Sequence, residues 1–320
     1  MSALTAALLR RLPWLIAALL LAVLVLTVPG FDRRRVWLSL APQYFAVAAL
    51  ALALTPVVLT GGIDLSVGSL TVLSSVVVGV LWRDLGLPIG LALAGGVLAG
   101  VLGGLGNGLL VSVGVLPLVA TLATRELYRG LAWALSGDDP VTRFPPGLGA
   151  FWVRPVLGLP VSLWGLAALW LASYLIVHHT WMGRALYAIG DNERAARFAG
   201  VPVRSLELGL YAWTGFVAGL CGLGLVLKYG AAKADAERSL ELLAIACVVM
   251  GGVRVTGGAG HVAGTLLGIV TVCALLAGLS RVASAWRDTV TGGVLIAVAV
   301  AGEAGARWLA RRGTLTEGKR

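Results

Sequence analysis

Long apolar segments follow one another along almost the whole chain, and they limit the fold more than any other feature of the sequence. The hydrocarbon core of a bilayer is about 30 Å thick and takes roughly 20 helical residues to cross. Segments near that length predict about ten membrane spans, with a range of eight to ten, at residues 13–29, 38–60, 67–81, 88–111, 115–135, 160–178, 206–228, 240–253, 262–280 and 288–305. We therefore expect an all-α, polytopic membrane protein with a single domain over residues 1–320.

The charged residues are few and support this interpretation. Only 12% of the residues are charged, 58% are hydrophobic, and the mean hydropathy is +0.92. This leaves too little polar surface for a soluble fold of 320 residues. The net charge is +10, but the cations are scattered between the predicted spans and are not grouped with aromatic residues. We therefore expect the lipid bilayer, and not nucleic acid, as their partner.

Two segments interrupt the apolar pattern between the predicted spans. Residues 136–159 are rich in Pro, Gly and aromatic residues, and they predict an irregular outer loop. Residues 179–205 form the longest polar stretch, in which Asp191 or Asn192 can cap a short helix over 193–199. Gly200 can end that helix in a left-handed conformation. Ala195 and Ala196 leave one side of the helix nearly smooth, so that another protein could approach it closely.

Glycines recur every four residues within one predicted span, at Gly96, Gly100, Gly104 and Gly108. Small residues at this spacing lie along one side of a helix, and they let a second helix approach its backbone closely. The pattern predicts tight helix packing at this stripe.

The segment GGIDLSVG, residues 61–68, lies between two apolar runs. Gly61 and Gly62 can unwind the chain at membrane depth, and Asp64 or Ser66 can then accept hydrogen bonds from the first amides of the next helix. An ionisable residue at this depth is costly, so Asp64 is either a functional residue, which binds a substrate hydroxyl or forms a gate, or only a helix cap.

A second segment repeats part of this pattern. Glycines stand at corresponding places in the two segments, at Gly61, Gly62 and Gly68 and again at Gly251, Gly252 and Gly258. Repeated halves whose broken helices meet at the substrate path are common in transporters, and chance similarity in a glycine-rich chain explains the pattern nearly as well.

Four blocks occur in a fixed order and extend over nearly the whole chain: GGIDLSVG (61–68), PLVATLATRELYRGLAWALSG (117–137), GRALYAIGDNERAARFAGV (183–201) and LLAIACVVMGGVRVTGGAGHVAGTLLG (242–268). Together they resemble the permease subunit of carbohydrate-uptake ABC transporters of the ribose-type branch. The resemblance implies the ABC importer permease fold and the import of a monosaccharide, of pentose or deoxyhexose type.

The resemblance also assigns a role to the polar block. It implies that residues 183–201 face the cytoplasm and hold the coupling helix that docks on the ATPase. On residue chemistry alone, an ordinary interfacial helix explains the block better. The positions to which the resemblance assigns ATPase coupling are Gly190, Asp191, Asn192, Ala195, Ala196 and Gly200.

Side chains that could line a sugar path are few. Asp64, Ser66, Asn107, Thr121 and Arg129 are the candidates, although Asn107 and Thr121 could equally join helices to one another. Within the charged group Arg125, Glu126 and Arg129, the spacing predicts a Glu126–Arg129 pair on one helix face. This group is either an ion pair near the membrane edge or a polar lining of the path. Arg125-Glu126 departs from the apolar or small residues that are usual at these positions in the family.

The chain has no GxxxxGK[ST] motif, and we find no set of catalytic or metal-binding residues. We therefore expect no enzyme activity, no cofactor and no metal in this chain, and ATP used only by a partner. The resemblance implies cytoplasmic ATP-binding cassette subunits, a second permease copy or paralogue, an extracytoplasmic solute-binding protein, and a bacterial cytoplasmic membrane as the location. Two alternatives remain: a furanose-like signal molecule or nucleoside as cargo, and an ion-coupled secondary transporter that uses Asp64.

Overall fold

A computed structural model describes residues 15, 17–137, 139–237, 239–282, 289, 292 and 293 of the chain. Eleven helices and one two-stranded antiparallel sheet form within these residues, which confirms the all-α expectation. In chain order they are α1 (Ala17–Thr27), α2 (Arg34–Leu59), α3 (Val67–Arg83), α4 (Ile89–Ser112), α5 (Pro117–Ser136), α6 (Leu148–Val153), β1 (Pro155–Val156), β2 (Leu159–Pro160), α7 (Val161–His179), α8 (Trp181–Phe198), α9 (Val203–Tyr229), α10 (Leu240–Met250) and α11 (Val262–Val282).

Five of these helices are long and apolar enough to cross a membrane, namely α2, α4, α7, α9 and α11. Helix α5 has 20 residues but carries three charged side chains. Helix α10 has only 11 residues, which rise about 16 Å, or about half the hydrocarbon thickness. The segment predicted as a span at 240–253 is therefore helical over too short a length to cross the hydrocarbon core alone. The predicted span at 288–305 lies outside the described residues, apart from three positions.

Helix α2 is at the centre of the bundle. It packs against α7, α9, α10 and α11, and its residues from Phe45 to Leu59 are all buried. Small alanine side chains over much of this stretch allow neighbours to approach from every side. Near its start, Tyr44 leaves the helical conformation two residues after Pro42. A proline inside a helix removes a backbone hydrogen bond, which explains the kink.

The glycine stripe of α4 packs against α9, and this is the most extensive contact between two described helices. Gly104 approaches the backbone of Tyr211 and Gly215, and Gly100 approaches Gly215 and Gly219. The two helices touch through backbone atoms, so the predicted close packing at this stripe is confirmed.

The segment at 136–159 has regular structure, which differs from the irregular loop expected there. It contains α6 and the β1–β2 hairpin, in which Pro155 pairs with Pro160. Trp152 of α6 packs edge-on against Phe45 of α2, with ring centroids 4.7 Å apart. The Trp152 indole nitrogen also donates a hydrogen bond to the Pro42 carbonyl, 3.2 Å away. Aromatic packing on the kinked start of α2 therefore orders this segment.

Candidate translocation and coupling sites

The chain between α2 and α3 is not helical, and it turns at Gly61, where φ is +81°. Asp64 lies in this break and is 1% exposed. Its carboxylate accepts hydrogen bonds from the Ser66 backbone nitrogen (3.0 Å) and from the Ser66 hydroxyl (2.7 Å). It accepts a third from the Thr214 hydroxyl of α9, at 2.9 Å. Asp64 therefore holds both the start of α3 and a neighbouring helix.

Further side chains join the break to α4 and α5. The Asn107 amide nitrogen of α4 donates to the Ser66 hydroxyl at 2.6 Å, and the Tyr128 hydroxyl of α5 lies 3.2 Å from the Asn107 amide oxygen. The Thr121 hydroxyl lies 3.1 Å from the carbonyl oxygen of Ile63. Sequence reasoning did not find Thr214 or Tyr128, because their contacts with the break depend on how helices far apart in sequence pack.

The structure thus brings together four of the five residues predicted for the substrate path: Asp64, Ser66, Asn107 and Thr121. All four are buried and bonded to other protein groups in this conformation. Their contact with a solute stays a prediction. Gly68 was expected at the break, but it lies in the first turn of α3, where a β-carbon would collide with the Glu241 carboxylate. The close approach of α10, whose Glu241 backbone nitrogen would lie 3.3 Å from a β-carbon, favours a glycine at this position, and chain reversal does not.

The second glycine segment, at 251–258, meets the first. Gly252 and Gly258 have φ values of +82° and +73°, whereas Gly251 has a φ of −69° and packs against the backbone of Gly264. The Gly258 backbone nitrogen donates to the Leu59 carbonyl at 2.9 Å. The two segments that share a sequence pattern are therefore in direct contact at one end of the bundle.

Helix α8 reaches the same place through Gly190. A β-carbon there would collide with the Leu59 carbonyl oxygen and the Gly258 nitrogen. The adjacent Asp191 backbone lies against Gly258 as well. We name this meeting point, formed by residues 59–61, 190–191 and 256–258, the junction. The segment predicted to couple to the ATPase thus touches both helix breaks through backbone atoms.

Beyond the junction, α8 bends at Asn192, where φ is −158° and ψ is 99°. The Asn192 side-chain oxygen accepts a hydrogen bond from the Ala195 backbone nitrogen at 3.0 Å, which confirms the predicted cap. An ion pair four residues apart, Glu193–Arg197 at 2.6 Å, lies along the new turn. A short second helix therefore begins at the bend.

The other end of this short helix closes at Gly200, where φ is +83°, as predicted. The Gly200 nitrogen donates to the Arg197 carbonyl and the Val201 nitrogen to the Ala196 carbonyl, both at 3.1 Å. This pair of bonds is the Schellman motif, which completes the end of a helix. The short helix is thus closed at both ends, and we name residues 192–200 the capped helix.

Ala196 does not lie on the outer surface of the capped helix, which corrects the expectation of a smooth docking face there. It is 5% exposed and packs in a cluster with Ile189, Val203 and Leu206. Phe198 is instead 93% exposed, although it is a large apolar residue. The sequence held a signal for it, an aromatic residue in a polar block, but its direction depended on the bend at Asn192.

The charged residues of α5 reach a part of the chain that the sequence did not indicate. Arg125 pairs with Glu241 in the first turn of α10 and with Glu126, both at 3.1 Å. The predicted Glu126–Arg129 pair is wrong, because Arg125 takes both carboxylates. Arg129 lies in no salt bridge within the described part of the chain, and it lines a cleft together with Gly68 and Glu241. More than a hundred residues separate Glu241 from Arg125, so no local spacing could have revealed the pair.

A second, larger cavity of about 320 Å³ lies beside the junction. It is bounded by Gly61, by Glu193 and Arg197 of the capped helix, and by Arg204 and Tyr211 of α9. Pockets that bind small molecules in proteins have volumes of about 300 Å³ or more. The cavity connects the first helix break to the capped helix through mostly polar surface.

Comparisons with known proteins agree with this architecture. Residues 37–299 match the family described as the permease component of the branched-chain amino acid transport system. The chain is 34% identical to the autoinducer 2 import system permease protein LsrD of Yersinia enterocolitica, over 91% of this chain and 92% of that protein. It is 35% identical to the ribose import permease protein RbsC of Bacillus subtilis, over 90% of each chain. No solved structure matches the chain.

A bundle of membrane-spanning helices with two breaks that meet at one end defines the class as a multi-pass membrane permease. The chain belongs to the matched permease family, and it is a ribose-type ABC permease, as its four sequence blocks predicted.

Proposed function

We propose that this chain is the membrane-spanning subunit of an ATP-driven importer for a monosaccharide, of pentose or deoxyhexose type, in a bacterial cytoplasmic membrane. The importer would contain cytoplasmic ATP-binding cassette subunits, a second permease copy or paralogue and an extracytoplasmic solute-binding protein. The chain itself would bind no ATP and no cofactor. The named relatives, an autoinducer 2 import permease and a ribose import permease, support a cargo of this size and polarity.

The junction is the single observation that carries this proposal. Gly190 touches the end of α2 and the second break at Gly258 through backbone atoms, without flexible side chains between them. Packed backbone transmits displacement, because interiors at native density compress very little. Movement of the capped helix therefore acts on both breaks together.

The mechanism follows from this contact. The junction end of the bundle faces the cytoplasm, and an ATP-binding cassette docks on the capped helix, with Phe198 as its apolar contact. Nucleotide binding moves the docked subunit, and the capped helix moves Gly190 against Leu59 and Gly258. The two breaks then change which side of the bundle is open, as a two-state system whose balance the partner shifts.

A second cargo is favoured by one observation, the name of the Yersinia relative. A furanose-like signal molecule presents hydroxyl groups as a pentose does, so the same polar side chains would serve either. Uptake measured in parallel with labelled D-ribose and with autoinducer 2 distinguishes the two cargoes.

A change at Phe198 tests the coupling. We expect Phe198→Asp, in the importer assembled with its own ATPase and binding protein, to lose uptake and ATPase binding while the amount of permease in the membrane stays normal. The matched control is Leu157→Asp, because Leu157 is also exposed, at 87%, and lies in the β1–β2 hairpin. Normal uptake by Phe198→Asp, or equal losses in both variants, would contradict the coupling role.

The permease alone provides a second test. Reconstituted in vesicles without its partners, the chain should accumulate neither solute, with or without an ion gradient. Accumulation driven by a proton or sodium gradient would refute ATP-driven import and would support the ion-coupled alternative.

A further inference from the structure

Helices α3 and α10 begin side by side in the bundle. Helix α10 ends next to the second break, which touches the end of α2 at Leu59. Its 11 residues rise about 16 Å, so its first turn lies near the middle of a hydrocarbon core about 30 Å thick. The first turn of α3 lies against it, because Gly68 has room only for a hydrogen next to Glu241. Non-helical chain precedes each of these helices, at 60–66 before α3 and at 230–237 and 239 before α10.

Charged side chains meet at this point. Glu241 is buried, and two nitrogen atoms of Arg125 lie 3.1 Å from one of its oxygens. Arg129, one turn further along α5, lines the same cleft and lies in no described salt bridge. From the 230–239 segment, Asp235 and Glu237 also face the cleft, and Glu237 pairs with Lys228 at 2.6 Å.

An ion pair at this depth is weak evidence of a stabilising role. Removing two charges from water costs several kcal/mol per ion, and apolar residues of similar size often replace a buried pair without loss of stability. Ionisable residues inside membranes are rare and commonly mark the path of a solute or ion. The pair therefore points to a function at the place where α3 and α10 begin.

The cleft is closed in this structure. Its volume is about 20 Å³, which is room for roughly one water molecule. The Arg125–Glu241 pair lies across it, between α5 and α10. The cleft is therefore too small for a solute of sugar size, and separation of the guanidinium and the carboxylate would enlarge it.

We propose that Arg125, Arg129 and Glu241 form the site that holds a neutral, polyhydroxylated cargo half-way across the membrane, and that the Arg125–Glu241 pair closes this site until cargo takes over its hydrogen bonds. This inference rests on the proposed function. Guanidinium groups donate to hydroxyl oxygens, and a carboxylate accepts from hydroxyl groups, so adjacent hydroxyls of one cargo can satisfy both partners. A neutral cargo fits because the two arginines that line the cleft are matched in number by Asp235 and Glu241, and Lys228 pairs with Glu237.

Chemical labelling tests the closed pair without knowledge of the cargo. Ser69 lines the cleft, and the native cysteines at 221, 247 and 273 are buried, so a Ser69→Cys variant offers one reactive thiol. In the assembled importer, a membrane-impermeant maleimide added from outside should label this thiol slowly. Adding Glu241→Gln should raise the labelling rate about tenfold or more, because Arg125 then loses the buried carboxylate that holds it across the cleft.

The control for labelling is Glu126→Gln. It removes the other carboxylate paired with Arg125, but Glu126 is 68% exposed and does not line the cleft. We expect its labelling rate to match that of the parent Ser69→Cys protein. Equal rates in the Glu241→Gln and Glu126→Gln backgrounds would overturn the proposal.

Uptake tests cargo recognition. With D-ribose as the probe, Glu241→Gln and Arg129→Gln should each lower uptake per ATP hydrolysed by about tenfold or more, because hydrolysis continues while the cargo loses a partner. A purely structural role would lower uptake and hydrolysis together. The double variant Arg125→Glu, Glu241→Arg restores the pair in reverse, and we expect it to restore the amount of folded protein but not uptake. Full recovery of uptake would show that the pair is only structural.

The proposed cargo and the proposed role of the Arg125–Glu241 pair can be refuted separately. If the unmodified importer takes up neither ribose nor autoinducer 2, the proposed cargo is wrong, and the labelling rates still decide whether the pair closes the cleft. If the unmodified importer transports ribose and Glu241→Gln transports it at the same rate per ATP, the inference is wrong while the proposed function stands.

Discussion

Replacing Gly104 by alanine should separate α4 from α9 at their closest approach. The added β-carbon would collide with the Tyr211 carbonyl oxygen and would lie 2.8 Å from the Gly215 α-carbon. Carbon atoms in contact are normally about 3.5–4.0 Å apart. Both obstacles are backbone atoms, so no side-chain rotation relieves the collision, and the two helices must move apart.

The cost can be isolated with a second glycine of the same helix. Gly106 has only the Tyr128 hydroxyl near its position for a β-carbon, at an ordinary 3.7 Å. Alanine gains about 1 kcal/mol of helix propensity over glycine at either position. The difference in unfolding free energy between Gly104→Ala and Gly106→Ala is therefore the overpacking cost alone, about 1–3 kcal/mol.

Thermal unfolding of the purified variants in detergent, followed by circular dichroism, measures this difference. At about 2–4 °C per kcal/mol, Gly104→Ala should unfold roughly 2–12 °C below Gly106→Ala. Equal unfolding temperatures, or a lower one for Gly106→Ala, would show that the backbone contact between α4 and α9 does not form as described.

Two further predictions concern the break and the capped helix. Asp64→Ala leaves the two Ser66 donors without an acceptor, while the Thr214 hydroxyl keeps the Tyr211 carbonyl, 3.0 Å away. It should lower the free energy of unfolding by about 2–4 kcal/mol, whereas Asp64→Asn keeps a carbonyl oxygen in place and should cost clearly less in the same unfolding assay. Uptake of ribose that persists in Asp64→Asn would also contradict ion coupling at this residue, and equal losses of stability would contradict the bonding role. Gly200→Ala should cost about 1–2 kcal/mol because φ is +83°, and Gly200→Asn should cost less, since asparagine tolerates this conformation. If both substitutions at Gly200 are neutral, the left-handed cap is absent.

Local signals predicted much of the fold and part of the site. Apolar runs near 20 residues predicted the long helices, because the bilayer thickness sets that length. The cap at Asn192 and the turn at Gly200 were predictable, since each depends on the preferences of a residue and its near neighbours in the chain. The four-residue glycine spacing likewise predicted a close approach of α4 to another helix, though not to which one.

Other features depended on contacts between distant segments. The sequence predicted an exposed Ala196 and gave no prediction for Phe198. After the bend at Asn192, Ala196 is buried and Phe198 is exposed. Glu241 was overlooked because its partner, Arg125, lies in another helix.

For this protein, the sequence by itself showed that the chain lies in a lipid bilayer, where its long helices are and to which family it belongs. Hydropathy, helix caps and motif order are properties of neighbouring residues, so they can be read without the structure. Only the tertiary structure showed that α3 and α10 begin side by side, at Gly68 and Glu241, and that Gly190 contacts both breaks. The physical reason is that backbone contact and ion pairing act over a few ångströms in space, whatever the distance along the chain.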